Sequence, residues 1–270
     1  MRTRTLLAGA LLSWVASGVR AQDSPWDVRL LPGESGWFYS EALDINNHGE
    51  IVGRFGANSD ADSRGILWTG ESWVDLGDHC GQPIGWPLSH AHAITDSGLV
   101  AGFLLASGTG PTLGVIWDLE TQTYQLVHPD PEGDWWPVLF DINESGLALG
   151  RLYHNATFSM RAFVWDYSSG NGELLPLPDG AVDSDPGGIG YDGTVVGSAG
   201  YFRDIALNVS HAVVWRPDGS ILDLHPEVVA AIPDVQGTTG HGIDGNGDVY
   251  GSAYNAVWWG YATQFYAWRW

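Results

Sequence analysis

"ALDINNHGEIVGRF", Ala42 to Phe55, is the stretch on which the reading of the fold turns. Apolar residues flank a polar "NNHG" that ends in glycine, the pattern of two short strands joined by a tight turn. Asn bonds its own backbone at such a bend, and Gly supplies the positive φ that closes it. The phrase returns as "AHAITDSGLVAGFL" from Ala91, "LFDINESGLALGRL" from Leu139, "GGIGYDGTVVGSAG" from Gly187 and "GHGIDGNGDVYGSA" from Gly240. The turn glycines Gly49, Gly98, Gly146, Gly193 and Gly247 are separated by 49, 48, 47 and 54 residues. A second phrase, "GILW", "GVIW", "AFVW", "AVVW" and "YAWRW", keeps the same beat through Trp68, Trp117, Trp165, Trp215 and Trp268. Two markers in step define a repeat of about fifty residues.

Each unit reads as four strands: the hairpin pair, then "GILW", then "WVDLG" or its counterparts "TYQLV", "ELLPL" and "SILDL". Long helical periodicity is missing, and abundant Gly and Pro suit closely spaced turns. The expected fold is all-β, a five-bladed β-propeller of four-stranded blades. Its units fall at roughly 33–77, 86–127, 135–177, 184–224 and 238–270. The fifth unit stops at "FYAWRW", its third strand. The missing strand is expected at the other end of the chain, where "DVRLL" (27–31) would complete the last blade and lock the ring.

Residues 1–21 form an expected secretory signal peptide, with Arg2 and Arg4 before the apolar run "LLAGALLSWVASGV" and small residues at the cleavage point. Residues 22–270 are then a single domain, exported and monomeric, with no further apolar run long enough to span a membrane. Eight arginines outside the leader stand against 32 acidic residues, and there is no lysine. Such a surface repels phosphate backbones, which argues against nucleic acid as a partner. Cys80 is the sole cysteine, so no internal disulfide supports the fold.

"DINNHGEIVG" followed by "GILW" and "WVDLG" resembles the HAF-type extracellular repeat family, named for a His-Ala-Phe signature. "HAVVW" at His211 and "RAFVW" at Arg161 come nearest to that signature. The resemblance implies a secreted protein of propeller-like repeats and brings no catalytic residues with it.

In a propeller the "NNHG"-type turns lie on one face and the longer loops on the other. Those loops hold the candidate ligand-binding aromatics: Trp37, Trp86, Trp135, Trp136, Trp258, Trp259 and Tyr261. Such rings suit carbohydrate platforms or the gaps between blades. Glu41, Asp44, His90, His92, Asp141, Asp185 and His241 are expected to face the central channel. Asp44 and Asp141, at equivalent places in their repeats, are the weak catalytic candidates for an alternative glycoside-acting enzyme. They would otherwise satisfy strand-end amides. A third reading is an extracellular protein-interaction scaffold with the tryptophans as anchors. No metal site or cofactor is expected. "DGNGDVYG" from Asp244 has alternating calcium-type oxygens but lacks the glycine and distal Glu of a calcium loop. The leading expectation is a non-catalytic module that recognises a glycan or cell-surface component.

Overall fold

Each copy of the hairpin opens an antiparallel sheet in the computed structural model, which describes residues 28–36, 39–56, 62–106, 111–129, 135–204, 207–256 and 262–270. The first sheet is β1 (Tyr39–Ile45), β2 (Glu50–Gly56), β3 (Arg64–Thr69) and β4 (Ser72–Asp75), followed by the short helix α1 (Leu76–Cys80). The second is β5 (Leu88–Ile94), β6 (Leu99–Leu105), β7 (Thr112–Asp118) and β8 (Thr123–Val127). The third is β9 (Trp135–Ile142), β10 (Leu147–His154), β11 (Met160–Asp166) and β12 (Asn171–Leu174). The fourth is β13 (Asp183–Ile189), β14 (Val195–Asp204), β15 (Leu207–Trp215) and β16 (Ile221–Asp223), followed by α2 (His225–Ala231). The fifth has three strands among the described residues: β17 (Gly237–Ile243), β18 (Val249–Ala256) and β19 (Ala262–Arg269). In every sheet the strands neighbour one another in chain order.

Every first strand carries a bulge at the same place, between Ala42 and Asp44, Ala91 and Ala93, Leu139 and Asp141, Pro186 and Gly188, and Gly240 and Gly242. The extra residue is thus Leu43, His92, Phe140, Gly187 or His241. A bulge bends the strand and re-aims the side chain it carries. Opposite it, each second strand places a glycine: Gly53, Gly102, Gly150, Gly197 and Gly251.

Consecutive sheets pack on one another, and each junction is its own apolar layer. Val52, Leu67, Ala91, Val100 and Trp117 join the first two sheets. Ala101, Ile116, Leu139, Phe163 and Trp165 join the next pair. Leu149, Ala162, Val195, Val213 and Trp215 continue the series, and Val196, Val214 and Val249 join the fourth sheet to the fifth. The repeating Trp therefore faces the sheet before its own. In two of the repeats the indole N–H reaches the end of that preceding sheet, donating from Trp165 to Gln125 Oε1 (2.9 Å) and from Trp215 to Pro176 O (2.8 Å).

Strand register revises the last of these tryptophans. Trp68, Trp117, Trp165 and Trp215 pair with Ile51, Val100, Ala148 and Val195, each two residues before the repeating glycine. In the fifth sheet that place is Val249, which exchanges both backbone hydrogen bonds with Trp270. Trp270, not Trp268, is the structural equivalent, and its N–H donates to Glu227 Oε2 (2.8 Å) in α2 of the preceding sheet.

Two further expectations are corrected. The segment 27–31, described from Val28, forms no strand. Val28 and Leu30 are exposed, while Leu31 packs with Phe55, Ile66 and Trp68, and Trp68 Nε1 donates to Pro32 O (2.8 Å). The two helices were not foreseen, because elements of five and seven residues are too short to display a helical period. In α1, Asp75 caps the backbone N–H of Gly77, a local signal overlooked within "WVDLG". Cys80 closes this helix and is buried.

Candidate functional site

The bulges and the residues two places earlier present one set of side chains to a common cavity of about 470 Å³. Glu41 and Leu43 come from β1, His90 and His92 from β5, and Val138 and Phe140 from β9. Arg54 and Arg151, on the second strands of the first and third sheets, complete its polar wall. Among so few basic residues, two at one cavity mark it out from the acidic surface.

The wall is a connected network. Tyr39 Oη donates to Glu41 Oε2 (2.6 Å), and Arg54 Nε donates to the same oxygen (3.1 Å). Arg54 Nη1 also reaches His90 Nδ1 (2.9 Å), and His90 Nε2 meets Ser63 Oγ (2.6 Å). His92 Nδ1 donates to Leu139 O (2.8 Å), while its ring stacks on Phe140 with centroids 5.5 Å apart. Burial pulls Glu41 upward, but hydrogen bonds from Tyr39 and Arg54 outweigh it and hold the carboxyl below its usual range. Burial drives both imidazoles the other way, His90 down to about 3 and His92 to about 4, with the Arg54 charge adding to the effect.

These shifts predict a pH dependence. Unfolded, both histidines return to about 6.5 and bind protons that the folded protein refuses. The stability they confer is complete above pH 6.5 and is lost as pH falls toward 4. Asp141, pushed up to about 6 by burial, works in the opposite direction over an overlapping range. A His92→Gln variant isolates one imidazole, since Gln still offers an N–H to Leu139 O. Its urea midpoint should fall less steeply than that of the unaltered protein between pH 6.5 and 4. Parallel pH curves would contradict a neutral, half-buried His92.

Beyond Arg151 the cavity has two neighbours. Arg151 Nη1 bridges to Asp185 Oδ1 (2.8 Å), which leads into a second cavity of about 230 Å³ lined by Ser198, Ser210, Thr239 and Tyr254. On the other side, Trp136 shares its strand face with Val138, and Tyr153 shares its face with Arg151, because alternate residues along a strand point the same way. Trp136 and Tyr153 are paired across β9 and β10 with ring centroids 6.0 Å apart, and Phe158 follows at 6.3 Å from Tyr153. Phe158 is 69% exposed and sits at φ 59, a conformation that bulky L-residues rarely hold. Its turn is set by Phe158 N donating to His154 O (2.8 Å). Sequence reading missed Phe158 because "HNATFSM" carries no motif.

The predicted residues divide. Glu41 and His92 meet at the first cavity, whereas exposed His241 bonds to Thr239 and Ser252 in the fifth sheet and does not line it. Asp44 and Asp141, expected at a central channel, do not line this cavity. Asp44 Oδ2 accepts Ile94 N (2.8 Å), and Asp141 Oδ2 accepts Ile189 N (2.9 Å), each tying its sheet to the next. Burial raises the pKa of both carboxyls. Trp135 and Trp136 begin a strand rather than occupying a loop, and only Trp136 joins the aromatic rim. Trp135 and Trp86 are half-buried against the layers between sheets. Trp37, Trp258, Trp259 and Tyr261 lie outside the described residues.

The "NNHG" turn is a stitch between sheets. Asn46 Oδ1 accepts His48 N and Glu50 N, and its Nδ2 donates to Thr95 O of the next sheet (3.1 Å). Asn143 repeats this, reaching Gly190 O (2.9 Å). Asp244 Oδ1 caps Asn246 N and Asp248 N as in an ordinary turn. Among the described residues, no three His, Cys, Asp or Glu side chains are grouped to hold a metal ion. No helix among them is long and apolar enough to cross a membrane.

No protein-family model and no curated protein matches the sequence. Among solved structures the chain is similar to TolB from Acinetobacter baumannii, at 10% identity and a TM-score of 0.47, over 80% of this chain and 52% of that one. It is similar to the tricorn protease at 10% identity and a TM-score of 0.46, over 86% of this chain and 21% of that one. The β-propeller domain of the trilobed protease from Pyrococcus furiosus, which has an open velcro topology, is 8% identical with a TM-score of 0.37, over 88% of this chain and 82% of that one. The chain thus spans about half the length of TolB and a fifth of the tricorn protease.

Proposed function

We propose that this chain is a secreted, monomeric five-bladed propeller that binds a glycan of a cell surface or matrix, without catalysis and without a cofactor. The observation that carries this reading is the continuity of the polar cavity at Glu41, His92 and Arg151 with the aromatic rim of Trp136, Tyr153 and Phe158. Sugars present hydroxyls that both donate and accept, together with flat C–H faces that pack on rings. Guanidinium and carboxylate groups beside aromatic faces offer both kinds of contact. The exposed Phe158, held at positive φ, is the kind of strained surface residue that serves a ligand rather than a core. The leader 1–21 and the domain 22–270 belong to the same reading.

The ring would close through the N-terminal segment. "LLP" at Leu30–Leu31–Pro32 repeats "LLP" at Leu174–Leu175–Pro176. Leu175 packs in the layer of Trp215, and Pro176 O accepts that indole N–H. Leu31 packs in the layer of Trp68, and Pro32 O accepts its N–H. The N-terminal segment thus stands to the first sheet as the end of the third sheet stands to the fourth. That is the place of a fourth strand for the fifth sheet.

Titration of an oligosaccharide panel against the purified chain, followed by tryptophan fluorescence, tests the binding. At least one saccharide should respond, and Arg151→Ala and Phe158→Ala should each weaken it about tenfold or more, the scale of an interface anchor. Phe158 is exposed, so its loss should leave the thermal midpoint in place. A silent panel, or affinity unchanged in both variants, would refute the reading.

A further inference from the structure

A bond between sheets that recurs in three of them is left unmade in the first, although its hydroxyl is present there; the third sheet has Pro137 at that place and no hydroxyl. In the second, fourth and fifth sheets, a hydroxyl on the first strand accepts a backbone N–H from the third strand of the preceding sheet. Ser89 Oγ accepts Gly65 N (2.8 Å), Ser184 Oγ accepts Ala162 N (2.9 Å) and Thr238 Oγ1 accepts Ala212 N (2.8 Å). These hydroxyl residues are at most 1% exposed. The first sheet has the same hydroxyl at Ser40, and there it is exposed.

The rest of that face is uncovered too. Ile45 is 51% exposed, against 6%, 6% and 8% for its counterparts Ile94, Ile142 and Ile189. Ala42 is exposed, whereas Ala91 and Leu139 in its place are fully buried.

The complementary surface lies at the other end of the chain. Gly65, Gly114, Ala162 and Ala212 pair with Arg54, Phe103, Arg151 and Ser198. By the same register the fifth sheet pairs Ser252 with Ala267. A small residue is therefore kept where the next sheet must approach, and Ala267 is exposed. Phe265, two residues earlier on the same strand face, is 70% exposed and apolar.

We infer that the uncovered face of β1 is the seat of the fifth sheet of the same chain, with Ser40 Oγ accepting the N–H of Ala267. The inference rests on the ring proposed above and gives its seam residue by residue. Each chain carries one copy of either half, and the layer behind them (Phe55, Ile66, Trp68 and Leu31) is already assembled. Closure would bring Thr239 and His241 round to Glu41 and Leu43, completing the wall of the binding cavity.

The double variant Ser40→Cys/Ala267→Cys tests this in the full chain. A Cβ built at Gly65, the counterpart of Ala267, lies 3.4 Å from Ser89 Oγ, a separation that a disulfide can bridge with little movement. The native Cys80 is buried and need not be changed. Mild oxidation at about micromolar protein should give an intrachain disulfide, since an effective concentration of order millimolar favours it over dimer formation about a thousandfold. Non-reducing electrophoresis and intact mass read the product. A disulfide-linked dimer would assign the face to a second copy, and thiols that stay reduced would leave it open; either result overturns the proposal. The oxidised protein should bind a responsive saccharide at least as tightly as the reduced one. A tenfold loss on oxidation, reversed by reductant, would overturn the claim that closure completes the cavity. If the unaltered protein binds no saccharide, the glycan reading fails while the cross-link still decides the seam.

Discussion

Gly102→Ala is expected to destabilise the protein by about 3 kcal/mol or more, the upper range for overpacking a tight site. Gly102 belongs to the series Gly53, Gly102, Gly150, Gly197 and Gly251, one in the second strand of each sheet. A Cβ at any of them would lie under 3.0 Å from a main-chain carbonyl oxygen of the neighbouring first strand, that of Glu41, His90, Val138, Asp185 or Thr239. None of the five has a positive φ, so glycine is needed here for space rather than for backbone freedom. The obstructing atom is main chain beside the bulge and cannot rotate aside. Trp117 Cζ3 also stands 3.0 Å from the Cβ position, but shrinking that ring would leave the carbonyl clash in place. Gly102→Ala should therefore stay damaging in a Trp117→Phe background. A urea midpoint within error of the unaltered protein would contradict the bulge-and-glycine geometry on which the cavity side chains depend.

Trp117→Ala should cost about 4 kcal/mol, the usual scale for emptying a buried aromatic site. Trp117 is fully buried between the first and second sheets, packed with Val52, Ala91 and Val100. Against a total stability of about 5–15 kcal/mol, this change alone could populate unfolded chains at body temperature. Trp270→Ala should cost far less, because its equivalent ring is 45% exposed. Phenylalanine separates the two parts of the effect. Trp117 Nε1 is buried and has no hydrogen-bond partner among the described residues, whereas Trp215 Nε1 donates to Pro176 O. Trp117→Phe should thus be milder than Trp215→Phe by about 1 kcal/mol, the net value of one hydrogen bond. Equal losses in thermal or urea unfolding would show that the indole bond to the preceding sheet contributes nothing.

The repeat was legible because it is written twice, in the turn glycines and in the tryptophans. The all-β class and the four-strand unit follow directly from it. The last tryptophan was misassigned by two residues because "AWRW" offers two, and only pairing with Val249 separates Trp268 from Trp270. The bulges were invisible, since an extra residue in one strand alters neither composition nor alternation enough to register. That omission also misplaced Asp44 and Asp141: after the bulge the next side chain turns from the cavity into the junction between sheets. Glu41 and His92 could be nominated as channel groups, but Arg54 and Arg151 stand 97 residues apart in the chain, and no local pattern links them. Trp135 and Trp136 looked alike in sequence, and strand alternation sends one to the layer between sheets and the other to the rim. The opening turn, "NNHG", is joined by Asn46 to the next sheet, which places it in the scaffold rather than at the site.

Hydrogen–deuterium exchange with and without a saturating saccharide tests the central claim most directly, because it reads where the ligand acts. Peptides covering 39–43, 88–93, 136–140 and 151–158 should slow their exchange, while those confined to the turns at 46–49, 95–98 and 143–146 should not change. Protection at the turns, or at none of these strands, would contradict a binding site at the cavity and its aromatic rim.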